Sequence, residues 1–446
     1  MLVPDEARLI APAPAPARFA KAAPGARAAA VPGMGSANAP PARLPGEHFA
    51  AALLFFLIGT TALFALAPDL ALGYFLAPRV AATTHLFTLG WITTSIMGAL
   101  YQFLPVALDQ PIRSIRLAHV SFVLFVPGLL AFAGGLALGR SVLLLSGAAC
   151  FGTGLLLFIG NLTATLKRAR RRDVTWWALA FATFYLAVTL ILGLALTGNL
   201  RWGYMGGGRI ASIGVHLHVA LAGWVLLVIV GVAHRLLPMF LLSHGVTDRF
   251  AKFAVGFIAA GAGVLAFLHH MPPLISRWLP TLLIALGCAS FLVQARSYFA
   301  HRHRPSLDPG MRLAASALAL LSLALVLFWP VVLTDTPARI AIAYVMTAII
   351  AVSLFVAAHY YKIVPFLVWY HRFGPLAGKQ PVPRVSELYS ARAATVAGVL
   401  LVSGAVGLIA TVALGTGSAA RSAALLMVSG AAIECTQMAL LRRKRP

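Results

Sequence analysis

Charged side chains are scarce in this sequence. Only 10% of its 446 residues are charged and 60% are hydrophobic, whereas an ordinary soluble domain has about 25% charged residues. So few ionic side chains cannot cover the water-facing surface of a chain this long, which excludes a soluble enzyme. The high apolar content also excludes an intrinsically disordered protein. The composition is that of a polytopic membrane protein.

Acidic residues and cysteines are scarcer still. The chain has 11 Asp and Glu against 35 Lys and Arg, a net charge of +24. In a soluble chain this excess would favour nucleic-acid binding, but here the bases lie in short loops between apolar runs, so we predict no nucleic-acid partner. The three cysteines each lie within an apolar run, so their spacing indicates neither a disulfide framework nor a metal site. They are Cys150, Cys288 and Cys435.

Twelve apolar runs are long enough to cross a bilayer as helices, since the hydrocarbon core requires about 20 apolar residues per helix. They cover residues 49–68, 81–105, 116–138, 141–166, 175–198, 211–240, 252–270, 275–299, 312–334, 338–370, 392–414 and 420–441. An even number of spans places both termini on one side, and most of the Lys and Arg residues lie in the loops of that side. The positive-inside rule therefore predicts cytoplasmic termini in a bacterial-type inner membrane.

The chain divides into three predicted parts. Residues 1–47 are rich in Ala and Pro and carry basic side chains, so we predict a disordered cytoplasmic tail. Residues 48–441 form an all-α, twelve-helix transmembrane domain in contact with the lipid bilayer. Residues 442–446 form a short basic C-terminal tail.

Spans two and six share a pattern that begins with a histidine. Further residues follow that histidine at the same five spacings in both spans. They are His85, Gly90, Trp91, Gly98, Tyr101 and Pro105 in span two, and His218, Gly223, Trp224, Gly231, His234 and Pro238 in span six. Span ten keeps only the end of the pattern, Tyr361 and Pro365, with Val345 at the histidine position. Because these spans are four apart, we predict three pseudo-repeats of four helices.

The histidines of spans two and six predict cofactor binding. At a rise of 1.5 Å per residue, His85 and His218 lie at matching depths, roughly 6–11 Å below the outer boundary. His216 lies about 200° around the helix from His218, so one helix could hold two cofactors. Since imidazole is a standard axial ligand of haem iron, we predict haem b between His85 and His218 and a second haem at His216. The alternative is that these histidines hydrogen-bond between packed helices.

One stretch of span six resembles a known haem-binding helix. His216-Leu217-His218, followed by Gly223 and Trp224, is similar to the helix of C-type (cbb-type) haem-copper oxidase catalytic subunits in which an H-x-H ligates two haems. The superfamily, which includes the nitric oxide reductases, is similar also in having twelve core spans of pseudo-threefold design. The resemblance implies a divergent relative of haem-copper oxidase subunit I.

Two further positions match that family. His85 corresponds to the place of the low-spin haem ligand, and His269-His270 at the outer end of span seven resembles the paired copper ligands. The resemblance therefore implies copper at His269 and His270. The alternative for this pair is a solvated turn beside Pro272 and Pro273.

The resemblance implies a membrane haem-binding redox protein that binds or reduces oxygen or nitric oxide. Its implied partners are an electron-donor cytochrome or a quinol, accessory subunits and a diatomic gas. The chain is similar also to NnrS-type membrane proteins, which contain haem and copper and respond to nitric oxide stress. A non-enzymatic role in nitric oxide response or metal handling is therefore the second hypothesis, and a transporter is the third.

Ionisable side chains near the inner ends of spans six and ten complete the candidates. They are His234, Arg235, His359 and Lys362. Long basic side chains at helix ends commonly extend to the headgroup region. The alternative is an inner polar pathway for protons or a substrate anion, which the transporter hypothesis would require.

Overall fold

The computed structural model describes Asn38 and residues 40–445. Most of the predicted tail over 1–47 therefore lies outside the described residues, although the first helix already begins at Arg43. Regular structure in the described part is helical and forms twelve long segments. They are α1 (Arg43–Ala71), α2 (Pro78–His85, Leu86–Thr93 and Thr94–Ala107), α3 (Ile115–Leu138), α4 (Ser141–Leu166), α5 (Val174–Trp202), α6 (Arg209–His218, Val219–Leu226 and Leu227–Leu241), α7 (Arg249–Phe267), α8 (Leu274–Ala300), α9 (Pro309–Leu333), α10 (Ala338–Arg372), α11 (Ala391–Leu414) and α12 (Gly417–Leu441).

Eleven of these segments are long and apolar enough to cross a membrane, which confirms an all-α, multi-pass membrane architecture for the described chain. The remaining segment is α2, whose polar side chains include Thr88, Thr93, Thr94, Ser95 and Gln102. Its helix runs through the predicted second span, but its place as a twelfth crossing stays a prediction. The other helix bounds lie within a few residues of the predicted spans.

Local sequence signals begin and end these helices. Ser114, Asp173, Asp308 and Ser390 are N-cap residues whose side chains accept a hydrogen bond from the backbone N–H three residues later. Such caps satisfy one of the amide groups that the first helical turn leaves without a partner. Gly139 follows α3 with a φ of 64°, the left-handed conformation that glycine adopts without steric cost.

Small residues bring neighbouring helices into close contact. A Cβ on Gly128 of α3 would lie 2.3 Å from the Phe151 backbone nitrogen of α4, and one on Gly135 would lie 2.4 Å from that of Leu144. Glycine is needed at both positions, because any larger residue would push the two backbones apart. Equivalent close pairs join α7 to α8 and α11 to α12 at Gly261 and Gly404.

Helices α2, α6 and α10 lie at the centre of the bundle. The spans that contain α6 and α10 are the most buried of the eleven, each 61% buried over its apolar window. Ser95 of α2 hydrogen-bonds Tyr360 of α10 at 2.8 Å, and the Trp224 indole of α6 donates to Thr93 of α2 at 3.1 Å. The three helices that carry the candidate residues therefore meet one another.

One hydrogen-bonding arrangement occurs three times along the chain. Asn161 of α4, Gln294 of α8 and Gln437 of α12 each use a side-chain amide to bond the backbone at the start of the preceding helix, which is α3, α7 or α11. In each case a bonded backbone residue stands 47 positions earlier: Ser114, Thr247 or Ser390. The recurrence relates helices α3–α4, α7–α8 and α11–α12 to one another.

Candidate functional site

Helices α2 and α6 share an unusual backbone at the candidate histidines. A π-helical segment begins directly after His85 and runs over Leu86–Thr93, and another begins directly after His218 and runs over Val219–Leu226. Such π segments often occur at functional sites. Helix α10, by contrast, is α-helical over its whole length. The shared sequence pattern of spans two and six therefore corresponds to a shared local structure.

His85 and His216 face each other across the interface between α2 and α6. Their ring centroids lie 6.3 Å apart and their planes differ by 27°. Gly193 of α5 makes room for this arrangement, because a Cβ there would lie 3.0 Å from the His216 ring. Phe132 of α3 packs edge-on against His85 at 5.2 Å between centroids. The pair thus has an apolar surrounding and a gap between its rings.

The hydrogen bonds of His85 leave one ring nitrogen free for a ligand. Its Nδ1 lies 2.7 Å from the Ala81 carbonyl oxygen, and donation to a backbone carbonyl places the lone pair on Nε2. Metal-ligating histidines usually make such a bond with their other nitrogen. On the opposite side, His216 Nδ1 is buried without a hydrogen-bond partner among the described residues. His85 Nε2 and His216 Nδ1 are therefore available to bind a ligand.

His218 lies at a different interface from His85. It faces α10, where Tyr344 stacks on its ring at 5.9 Å between centroids and 19° between planes, and its Nε2 lies 3.1 Å from the Tyr344 hydroxyl. Its Nδ1 contacts the Gly214 carbonyl at 2.8 Å, as His85 contacts Ala81. The sequence predicts a pair of His85 and His218, whereas the structure brings His85 together with His216.

A cavity that is partly open to the outside borders His218. Cys288 of α8, Phe328 of α9 and Tyr344 of α10 line it together with aliphatic side chains. Sequence reasoning missed Tyr344, although it immediately precedes Val345, which occupies the histidine position of span ten.

His269 and His270 lie in a turn just after α7 ends at Phe267. Both are exposed, their rings meet edge-on at 5.9 Å between centroids, and His269 Nδ1 contacts the Ala266 carbonyl at 3.2 Å. Among Asn38 and residues 40–445, no three His, Cys, Asp or Glu side chains come together as a metal site. The predicted copper pair therefore has no third ligand of these types within the described chain.

The inner candidate residues have separate partners. Arg235 of α6 bonds Asp173, the N-cap of α5, and Lys362 of α10 bonds Asp308, the N-cap of α9. Each cation stands seventeen residues after the histidine position of its helix, which is His218 in α6 and Val345 in α10. The two ion pairs thus make similar contacts, one between α5 and α6 and the other between α9 and α10.

The inner histidines likewise lie apart. His234 Nδ1 lies 2.7 Å from the Tyr298 hydroxyl of α8, whereas His359 is buried and its Nδ1 contacts the Phe355 carbonyl of its own helix at 2.7 Å. His359 also borders a second, larger cavity between α2, α6 and α10. Of the four inner candidates, His359 alone lines this cavity.

No protein-family model matches the chain, and no curated protein matches it.

Proposed function

We propose that this chain is a membrane haem-binding redox protein in which His85 of α2 and His216 of α6 hold one haem b. The observation that carries the proposal is the 6.3 Å between the two ring centroids. A metal–imidazole bond is about 2.0–2.1 Å long, so two imidazoles on opposite sides of one ion have centroids about 6 Å apart.

The surrounding residues suit such a group. When bound, haem would supply one-electron chemistry whose potential depends on axial ligands and burial. The Ala81 carbonyl holds the ring orientation of His85, and Phe132 and the glycine at 193 provide a wall without charged side chains. In this apolar environment His85 and His216 would be the two residues that hold the group.

A second site beside His218 is part of the proposal. His218 borders the cavity that Tyr344 also lines, and among the described residues no second histidine lines it. The cavity could hold a small diatomic molecule such as oxygen or nitric oxide. The Tyr344 hydroxyl donates to His218 Nε2 at 3.1 Å, so a ligand that took this nitrogen would displace the hydroxyl, which could then donate to that ligand.

The same proposal includes the architecture that was expected from the sequence. Three recurring amide contacts, two recurring ion pairs and two recurring π segments support three pseudo-repeats of four helices, with α2 as the twelfth membrane crossing. In such an arrangement α2, α6 and α10 would surround one axis. The interface between α2 and α6 would then be equivalent to the interface between α6 and α10.

A reduced-minus-oxidised absorption spectrum of the purified protein, with a pyridine haemochrome to count haem, tests this proposal. We expect sharp low-spin b-type bands that disappear in His85→Ala and His216→Ala. The matched control is His371→Ala, which changes an exposed histidine at the end of α10. A haem-free protein from cells grown with ample haem would contradict the proposal and leave the transporter hypothesis.

Turnover and metal content separate the remaining hypotheses. Consumption of oxygen or nitric oxide with an electron donor would support an oxidoreductase related to the haem-copper oxidases. Bound haem or copper without turnover would support the non-enzymatic, NnrS-like role. A copper count that falls in the variant lacking His269 and His270 would support the predicted copper pair.

A further inference from the structure

A cavity lies between α2, α6 and α10, in the half of the bundle that contains the C-terminal ends of these helices. Each of the three helices contributes residues at the same five positions, which are 10, 11, 14, 15 and 18 residues after His85, His218 or Val345. Ser95, Val228 and Phe355 form the first of these sets. The cavity therefore lies where the three central helices converge.

The wall of this cavity is apolar on α6 and carries polar side chains on α2 and α10. The α6 residues that line it are Val228, Ile229, Val232, Ala233 and Leu236, whereas α2 contributes Ser95 and Gln102. At the fourteenth and fifteenth positions α10 has His359 and Tyr360, where α6 has Val232 and Ala233. A mainly apolar wall with a few polar groups is typical of a pocket that orients an otherwise apolar ligand.

The two polar side chains of α10 present different hydrogen-bonding groups. His359 uses Nδ1 on the Phe355 carbonyl at 2.7 Å, so its Nε2 keeps a lone pair that can accept a proton. The Tyr360 hydroxyl shares a hydrogen bond of 2.8 Å with Ser95 of α2, so this pair of hydroxyls has one further proton to donate. The wall thus provides one acceptor and one donor next to each other in sequence.

We propose that this cavity binds the ring of a lipid-soluble hydroquinone or its quinone. The ligand would come from the bilayer, because α6 and α10 are long and apolar enough to cross it and most of the lining side chains are apolar. A hydroquinone hydroxyl would donate to His359 Nε2, and a ring oxygen would accept from Tyr360 or Ser95. Aromatic side chains that can pack on such a ring include Phe49, Phe103 and Phe355.

The cavity also lies on a direct route to the proposed haem histidines. Ser95 stands ten residues after His85 on α2, which corresponds to about 15 Å along the helix. Trp91 lies between them and packs on Tyr360 at 4.9 Å between ring centroids. A role for the bound ring as an electron donor rests on the proposed haem, whereas the binding itself does not.

Equilibrium titration of the full-length purified protein with a decyl-substituted benzoquinone tests the binding, read as quenching of tryptophan fluorescence. Ala233→Phe would fill the cavity from α6, and His359→Phe would remove the acceptor. We expect each change to raise the dissociation constant at least tenfold. His371→Phe, at the exposed end of the same helix, should leave it unchanged. His359→Gln serves as a second variant should the phenylalanine not fold.

The outcomes separate clearly. Weaker binding in both Ala233→Phe and the His359 variants supports the proposal. Binding that neither change affects overturns it. Weaker binding in Ala233→Phe alone also overturns it, because a plain acyl chain would then fill the space without using the histidine. The titration is carried out with haem-free and haem-loaded protein, so that failure of the proposed haem site leaves this readout intact.

Discussion

His216 faces His85 across the interface of α2 and α6, with 6.3 Å between their ring centroids. Two residues later on the same helix, His218 faces Tyr344 of α10 instead. Helix α6 therefore contributes one imidazole to each of its two interfaces with the other central helices. Because His216 and His218 lie at different interfaces, their roles can be tested separately.

Replacement of His216 and of His218 by alanine should have different spectral consequences. We expect His216→Ala to remove the low-spin b-type bands, because it takes one of the two facing imidazoles. His218→Ala should leave those bands in place and change only the absorption of a second haem, if one is bound. Loss of the low-spin bands in His218→Ala, with His216→Ala unchanged, would instead support the pairing that the sequence suggested.

The Tyr344 hydroxyl should matter only at the second interface. Tyr344→Phe keeps the ring that stacks on His218 but removes the hydroxyl 3.1 Å from its Nε2. We expect altered kinetics of carbon monoxide recombination after flash photolysis and an unchanged low-spin spectrum. Tyr204→Phe, which changes an exposed tyrosine before α6, is the matched control. Identical recombination in both variants would place the gas-accessible site elsewhere.

The three side-chain amides that bond helix starts should contribute similarly to stability. We expect Asn161→Leu, Gln294→Leu and Gln437→Leu each to lower the free energy of unfolding by about 1–3 kcal/mol, since each leaves a buried backbone group without its partner. Thermal unfolding in detergent measures the change, with Thr436→Val on the exposed side of α12 as control. A loss in one variant alone would argue against the equivalence of the three contacts.

The two equivalent ion pairs should differ in strength because they differ in exposure. The side chains of Lys362 and Asp308 are 14% and 21% exposed, whereas those of Arg235 and Asp173 are 48% and 36% exposed. We expect Lys362→Met to cost about 1–3 kcal/mol and Arg235→Met at most about 1 kcal/mol. Chemical denaturation of both variants under the same conditions checks the order. Equal losses in the two variants would mean that exposure does not determine how much each ion pair stabilises the protein.

The buried carboxyl of Glu434 in α12 should lower the free energy of unfolding. It is fully buried, and neither carboxylate oxygen has a hydrogen-bond partner among the described residues. The same position, three residues before the bonding amide, is Phe158 in α4 and Phe291 in α8. We expect Glu434→Phe to stabilise the protein by about 1–3 kcal/mol, because a polar group without a partner is lost.

Activity measurements on the Glu434 variant show whether the carboxyl is needed for function. A protein that becomes more stable but loses redox turnover would identify the carboxyl as retained for function. Glu434→Gln, which keeps the shape and removes the acid, is the matched variant for that measurement. A destabilised Glu434→Phe would show that the carboxyl has a structural partner after all.

The sequence predicted the helices well because each depends on local properties. Runs of apolar residues and capping residues such as Asp308 depend on nearest neighbours, and the helix bounds follow them closely. The histidine pattern of spans two and six also corresponds to a real structural likeness, as the π segments after His85 and His218 show.

The pairing of the histidines could not be predicted in this way. His85 faces the interface between α2 and α6, whereas His218 faces the interface between α6 and α10. His216, on the other side of α6, is the residue that looks back to α2. Which neighbouring helix a side chain faces depends on how the whole bundle packs, and the spacing of residues within one helix does not reveal it.

The ion pairs were missed for a related reason. Arg235 and Lys362 could be recognised as basic residues near helix ends, but their partners Asp173 and Asp308 lie 62 and 54 residues away. Their shared distance from the histidine position was present in the sequence. It became informative only when the structure showed that each cation reaches the N-cap of the preceding helix.

The π segments of α2 and α6 have a consequence for how these helices can vary. A π turn holds more residues than an α turn, so it changes the rotation of the part before it relative to the part after it. The histidines lie before each segment, and the residues of the central cavity lie after it. A residue gained or lost within the segment would thus rotate the imidazoles about the helix axis and leave the cavity residues in register. In each of these two helices, the part that carries the histidines can therefore change its orientation separately from the part that lines the cavity.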